Sequence, residues 1–384
     1  MKLKIKMIFL FIFLLMGLTP NLALNPSRFV SRPTEGAILK NVALDPAIFI
    51  DGNDQLATFA ASGDGTKNEP YLIANYNIAT ASSHGVEIRN TTKYFILRNV
   101  TADGTGSSRK YGFSFTNVTH GRIESNIARH WTSGFRLVAS SHNTLTDNTA
   151  STNNWDGFEL SSSSHNTLTG NTAHNNSLYG FWLEFSKNNT LTDNTGSKNY
   201  VGGFVMVSSN NSMLTGNSAS TNTYDGFWLG YSSHNTLTSN TASNNQAGGF
   251  VLWGSSHFNT LTSNTASTNT VGFKLTLASN NLLYLNRIRS NGVQATSDAA
   301  NKWHNGTHGN YWSDYTRTDS NNDGIRDPPY LIAGGNNADP FPLMLDPVSS
   351  SETQKPSTSS PGWILLVLIA ALALISGVSL ARRK

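Results

Sequence analysis

The residues equipped for chemistry stand at a fixed interval. Asp156, Glu159 and Glu184 are carboxylates on segments that repeat every 23 residues, and Arg136 lies 23 residues before Glu159. Such a group could supply a general acid with a base or nucleophile. The same spacing sets Arg136 beside Glu159 as an ordinary cross-strand ion pair. Ion-pair networks mimic catalytic sites, so the structural reading is favoured.

A second constellation is Asp319-Ser-Asn321-Asn-Asp323-Gly324-Ile325-Arg-Asp327. Oxygens at loop positions 1, 3, 5 and 9, Gly at 6 and a carbonyl at 7 fit an EF-hand-like calcium loop. Asp319, Asn321, Asp323, Ile325 and Asp327 would be the ligands of a weak structural Ca²⁺. Position 12 is Tyr330 rather than Glu, and Pro328 and Pro329 exclude a flanking helix. The alternative is a tight Asp/Asn/Gly turn.

Histidines form a third set. His120, His142 and His165 share one position of the repeat, and His234 and His257 are expected to resume it. Imidazoles stacked ~4.8 Å apart could bridge a metal. Asn188 and Asn211 fill the same place in the intervening repeats, and the chain has no Cys and no Met cluster. Copper is therefore disfavoured.

The repeat that positions these residues is marked by Gly-Phe. The pair recurs at Gly112, Gly134, Gly157, Gly180, Gly203, Gly226, Gly249 and Gly272, in one step of 22 and six of 23. A second marker, Asn-Thr-Leu-Thr-x-Asn, keeps the same period through Leu145, Leu168, Leu191, Leu214, Leu237 and Leu261, with an inserted residue expected near Phe258. Ile123 and Ile96 extend that series backwards, and Leu283 forwards. Apolar residues alternate after each Gly-Phe, which is the period of a strand. A second short strand is expected through Leu145, Asn148 and Ala150.

A coil returning ~4.8 Å above its start stacks like on like. The phenylalanines become an inner column, flanked by Leu137, Leu160, Leu183, Met206, Leu229, Leu252 and Leu275. The column from Asn126 through Asn148, Asn171, Asn194, Asn217, Asn240 and Asn264 to Asn286 predicts an asparagine ladder at a turn. Gly before each Phe is expected to give the backbone a conformation that a Cβ would obstruct. The fold class is thus all-β: a single-stranded right-handed parallel β-helix of nine or ten 23-residue coils with a cap at each end.

Alternation turns Glu159, Trp182, Val205, Trp228 and Val251 outward, with Glu184, Val207 and Trp253 beside them. Trp182, Trp228 and Trp253 would then anchor an exposed apolar wall suited to the faces of sugar rings. The other possibility is that a cap or loop covers it.

These features resemble the NosD-type and carbohydrate-associated β-helix repeat families of archaeal and bacterial surface proteins. The resemblance runs from Gly65-Thr-Lys-Asn-Glu-Pro-Tyr-Leu-Ile73, through the repeats, to Gly309-Asn-Tyr-Trp-Ser-Asp-Tyr315 and Pro340-Phe-Pro-Leu343. It implies a pectin-lyase-like fold, whose members include polysaccharide lyases and glycoside hydrolases. This chain lacks the tight trio of aspartates of the polygalacturonase-like members. Fold alone does not settle function.

Both ends of the sequence point to a membrane surface. Residues 1–24 read as a signal peptide with an apolar run from Met7 to Leu18. Residues 25–72 and 292–347 flank the repeats at 73–291 and are expected to be the caps. A Ser/Thr/Pro stalk spans 348–361, an apolar transmembrane segment 362–381, and a basic tail 382–384. Pro361-Gly362-Trp363 resembles the start of archaeal sorting tails, which begin Pro-Gly-Phe. The net charge of +4 comes largely from the termini, which argues against a nucleic-acid partner.

These expectations favour a single-pass surface protein, outside the cell, binding an extracellular polysaccharide or surface protein. A lyase or hydrolase, a purely structural rod and a NosD-like copper accessory protein are the alternatives. Asn90, Asn99, Asn117, Asn175, Asn188, Asn210 and Asn305 head glycosylation sequons.

Overall fold

The computed structural model describes residues 44–105 and 109–346. The expected signal peptide, stalk, transmembrane segment and basic tail lie outside these residues, as does the start of the N-terminal cap. No helix among the described residues is long and apolar enough to cross a membrane.

The repeat folds as a parallel β-helix. A major sheet of 11 strands runs from Ile48–Asp51 to Val293–Ser297. A second sheet of 10 strands runs from Tyr71–Ala74 to Leu282–Tyr284. A third, of 11 strands, runs from Asn77–Thr80 to Tyr311–Trp312. Each full coil gives one strand to each sheet; one coil uses Ser133–Val138, Thr144–Thr146 and Thr149–Ser151. The expected second strand is therefore two strands, broken at Asp147, whose φ of 54° bends the chain.

Like residues do lie over like. The eight phenylalanines from Phe113 to Phe273 stack at 4.6–4.8 Å with nearly parallel rings. Each is fully buried, and such pairs add about 0.5–1.5 kcal/mol beyond their area. The glycines before them serve closeness rather than an unusual backbone conformation. A Cβ on Gly203 would lie 2.8 Å from both the Gly226 carbonyl oxygen and the Ala219 Cβ.

The asparagine ladder is present and is one of three. Asn194 donates from Nδ2 to Asn217 Oδ1 at 3.0 Å and to the Leu168 carbonyl at 2.8 Å, while its own Oδ1 accepts from the Asn171 backbone. Further ladders run through Asn143, Asn166 and Asn189, and through Asn153, Asn176 and Asn199. A serine ladder joins Ser140, Ser163, Ser186 and Ser209. Each ladder residue follows a left-handed corner residue: Ala139, His142, Asp147 or Thr152 in one coil. The corner breaks strand pairing, and the ladder side chain takes up the backbone N–H left over.

Two details of the register differ from expectation. Leu97, not Ile96, lies in the inner column below Ile123. The inserted residue falls between Trp253 and Ser256, since Gly230 pairs with Trp253 but Ser232 bonds to Ser256. At the ends, Leu56 of the helix Asn53–Phe59 is buried near the first coil, and Trp303 and Trp312 are buried near the last.

Candidate functional site on the outer wall of the major sheet

The major strands are the longest, and their outer face collects the chain's polar and aromatic groups. Register pairs Arg136 with Glu159 and Glu159 with Trp182, and sets Glu184 one coil further and two residues along. Arg136 Nε stands 3.4 Å from Glu159 Oε1, and Ser133 Oγ donates to Glu159 Oε2 at 3.0 Å. The cross-coil ion pair read from the spacing is thus formed. Asp156 lies two residues before the strand Phe158–Ser161 that carries Glu159, and the Tyr179 backbone N–H reaches its Oδ1 at 3.4 Å. Asp156, Glu159 and Glu184 are all buried.

The network continues towards the first coils. The Arg136 guanidinium lies 4.7 Å from the Tyr111 ring centre, and that ring stacks on His84 at 5.2 Å. The Tyr111 backbone N–H donates to His84 Nδ1 at 3.0 Å, which leaves the neutral ring's proton on Nε2, 3.9 Å from Glu87. Burial pushes the His84 pKa down, against the pull of the Glu87 carboxylate.

Asp225 is a perturbed acid of this face. Burial raises its pKa from 3.8 to about 6, although the Gly248 N–H bonds its Oδ1 at 2.7 Å and Lys274 opposes the shift. His84, Tyr111, Ser133 and Asp225 were not singled out from the sequence. His84 and Tyr111 sit in early irregular coils where no column marks them. Asp225 could have been found, because it shares the column of Asp156, immediately before Gly-Phe.

The tryptophan wall is formed but not exposed. Trp182 and Trp228 retain only 3% and 6% of their surface, Val205 and Val251 are equally hidden, and Trp253 is half-buried. The indoles are packed rather than presented: Tyr179 stacks on Trp182 at 4.7 Å, and Trp228 lies across Gly230, where a Cβ would stand 2.1 Å from the ring. In these middle coils, exposed aromatics stand at both edges of the sheet. Tyr200, with Tyr224 at 6.3 Å, marks the entering edge. Phe185 and Tyr231 are 51% and 41% exposed at the leaving edge, and Tyr231 meets Trp253 edge-on at 5.1 Å.

The other two constellations lie elsewhere. In the loop 319–327, Asp319 accepts from the N–H groups of Asp323 and Gly324 at 3.1 and 2.8 Å. Asn321, Asp323 and Asp327 accept from Asp323, Ile325 and Ser320. These bonds hold the turn through its own backbone.

His142 and His165 stack at 5.1 Å, and the His120 ring lies tilted at 6.2 Å from His142. His257 leaves their column, because the insertion shifts it by one place. Phe258 takes the position instead and stacks on His234 at 5.3 Å. No group of three or more His, Cys, Asp or Glu among the described residues could hold a metal ion.

Residues 157–317 match the family described as periplasmic copper-binding protein (NosD), and residues 47–195 match the right-handed beta helix region family. No curated protein matches the chain. Solved structures similar to it include the A-module of a mannuronan C-5 epimerase from Azotobacter vinelandii, at 16% identity and a TM-score of 0.46, covering 67% of this chain and 96% of that one. A periplasmic alginate epimerase matches at 13% identity and 0.47, over 67% and 83% of the two chains. A pectate lyase matches at 14% and 0.47, over 69% and 82%. Identities this low carry no substrate or reaction across.

Proposed function

We propose that this right-handed parallel β-helix protein is displayed at a cell surface and holds carbohydrate chains, or a similar surface polymer, along the aromatic edges of its major sheet. The observation that carries this reading is the exposure of Tyr200 on one edge and of Phe185 and Tyr231 on the other, at either side of a closely packed wall. Aromatic faces suit the apolar faces of sugar rings, and Tyr adds a hydroxyl for the rim of the ligand. Glu159 is engaged by both the Arg136 guanidinium and the Ser133 hydroxyl, which supports reading that carboxylate as structural. The apolar segment Trp363–Leu380 and the basic residues after it support attachment to a membrane.

Asp225 favours a second reading. A carboxylic acid with a pKa of about 6 can donate a proton near neutrality, as a glycoside hydrolase or polysaccharide lyase would require.

One experiment separates the two. The full chain is assayed against a glycan array and incubated with neutral and uronic-acid polymers. The binding reading expects retention without product, weakened about tenfold when Tyr200→Ala and Tyr231→Ala are combined. Release of reducing or unsaturated ends, abolished by Asp225→Asn, would establish the enzyme instead. Retention unchanged in the double variant would remove the aromatic edges from the argument.

A further inference from the structure

The outer face of the second sheet is a grid of threonines. Six consecutive strands occupy it: Thr144–Thr146, Thr167–Thr169, Thr190–Thr192, Met213–Thr215, Thr236–Thr238 and Thr260–Thr262. The central leucine of each is buried, so both flanking side chains point outward. Register aligns them in two rows, one through residues 144, 167, 190, 213, 236 and 260, the other through 146, 169, 192, 215, 238 and 262. Of these twelve positions only Met213 is not Thr. The inserted residue before Ser256 leaves the rows intact, since Thr236 still pairs with Thr260.

Nothing in the fold requires this repetition. Among the described residues, none of the eleven hydroxyls bonds to another protein group, whereas the inward ladders are saturated. Charge stops at the boundary. Arg122 and Glu124 pair at 2.6 Å beyond one end of the rows, and Leu282 and Tyr284 follow the other. At the adjoining corner, Asp147 and Asp193 lie over Gly170 and Gly216.

Strand geometry fixes the grid at ~4.8 Å between coils and ~6.7 Å between outward neighbours on one strand. β-Branched side chains have few χ1 states, so the hydroxyls and methyls are already ordered and cost little entropy to fix on binding. A partner that uses the whole face must repeat in two dimensions. One soluble glycan chain repeats along a single line and meets one row. A water lattice repeats along both. The prism face of hexagonal ice has rows close to one strand spacing in one direction and close to two residue rises in the other. Neutral hydroxyls and methyls at these points suit ordered water better than charges, which orient water about themselves.

We propose that this threonine face binds ice. The proposal stands apart from any role of the major sheet. The test grows ice slowly in a solution of the full chain and measures the protein taken into the solid, together with crystal shape. Uptake is expected for the natural chain. It should fall about tenfold for Thr192→Tyr with Thr215→Tyr, at the middle of the grid, and persist for Thr195→Tyr on the third sheet. Met213→Thr, which completes the row, should raise it. Melting curves for all variants identify any that fail to fold. Exclusion of the natural chain from ice would overturn the proposal, as would equal uptake by the grid variants. Adsorption to crystalline cellulose or chitin without uptake into ice would overturn it too and reassign the face to a polysaccharide lattice.

Discussion

Asp225 makes the stability of the rod depend on pH in the direction opposite to a salt-bridged acid. Its pKa is 3.8 when unperturbed and about 6 in the folded chain. Between those values the folded state holds a proton that the unfolded state has released, so its contribution is full below about pH 4 and is lost as pH rises through 6. Denaturant unfolding at pH 4.5 and 7.5 should show this fall, and Asp225→Asn should flatten it. An unchanged slope in the variant would assign the pH dependence elsewhere. At this scale the sequence was legible where a residue belonged to a column. Phe158, Leu160 and Asn171 face inward as their period requires. Exposure was not legible. Alternation says that Trp182 points out of the coil, but not that Tyr179 lies against it.

A strand here ends at a left-handed corner, and the corner needs a polar residue behind it. Asp147 and Asn148 show the pairing: the first bends the chain, and the second receives the Asn126 backbone N–H at 3.0 Å and passes its own to Asn171. The sequence made this plain at one corner because the Asn column there is unbroken. The neighbouring ladder accepts Ser212 in place of Asn, and the serine ladder does the same work with a different side chain. Identity drifts while the role persists, which hides the element from pattern reading. The Gly column has no such latitude. Gly203→Ala would press a methyl to 2.8 Å from the Gly226 carbonyl oxygen and the Ala219 methyl at once. We expect a loss of about 1–3 kcal/mol, the usual cost of overpacking. Calorimetry on the variant checks it, and an unchanged melting temperature would mean that the coils can spread locally.

Along the whole molecule the central ladder has a direction. From Asn126 to Asn286 every Nδ2 donates towards the C-terminal end, and Asn286 hands on to Asn310 at 2.9 Å. The series must finish on a group that accepts without donating. That group is Asp339, buried beside the last coil, whose carboxylate takes the Asn310 backbone N–H at 2.7 Å, the Trp312 indole N–H at 2.9 Å and the Phe341 N–H at 3.0 Å. Neither the ladder's polarity nor its terminus could be read from the repeat, because Asp339 lies outside it and meets Asn310 only after the chain folds back. Stacked coils share stability mainly with their neighbours. Removing the acceptor should therefore loosen the end and spare the middle. Asp339→Ala leaves the buried Asn310 and Trp312 donors, and the part-buried Phe341 N–H, without this acceptor, at about 1–3 kcal/mol for each buried donor. Hydrogen exchange should then rise first across residues 286–312, with residues 150–220 still protected. If all coils lose protection together, the rod unfolds as one unit and the cap sets the stability of the whole.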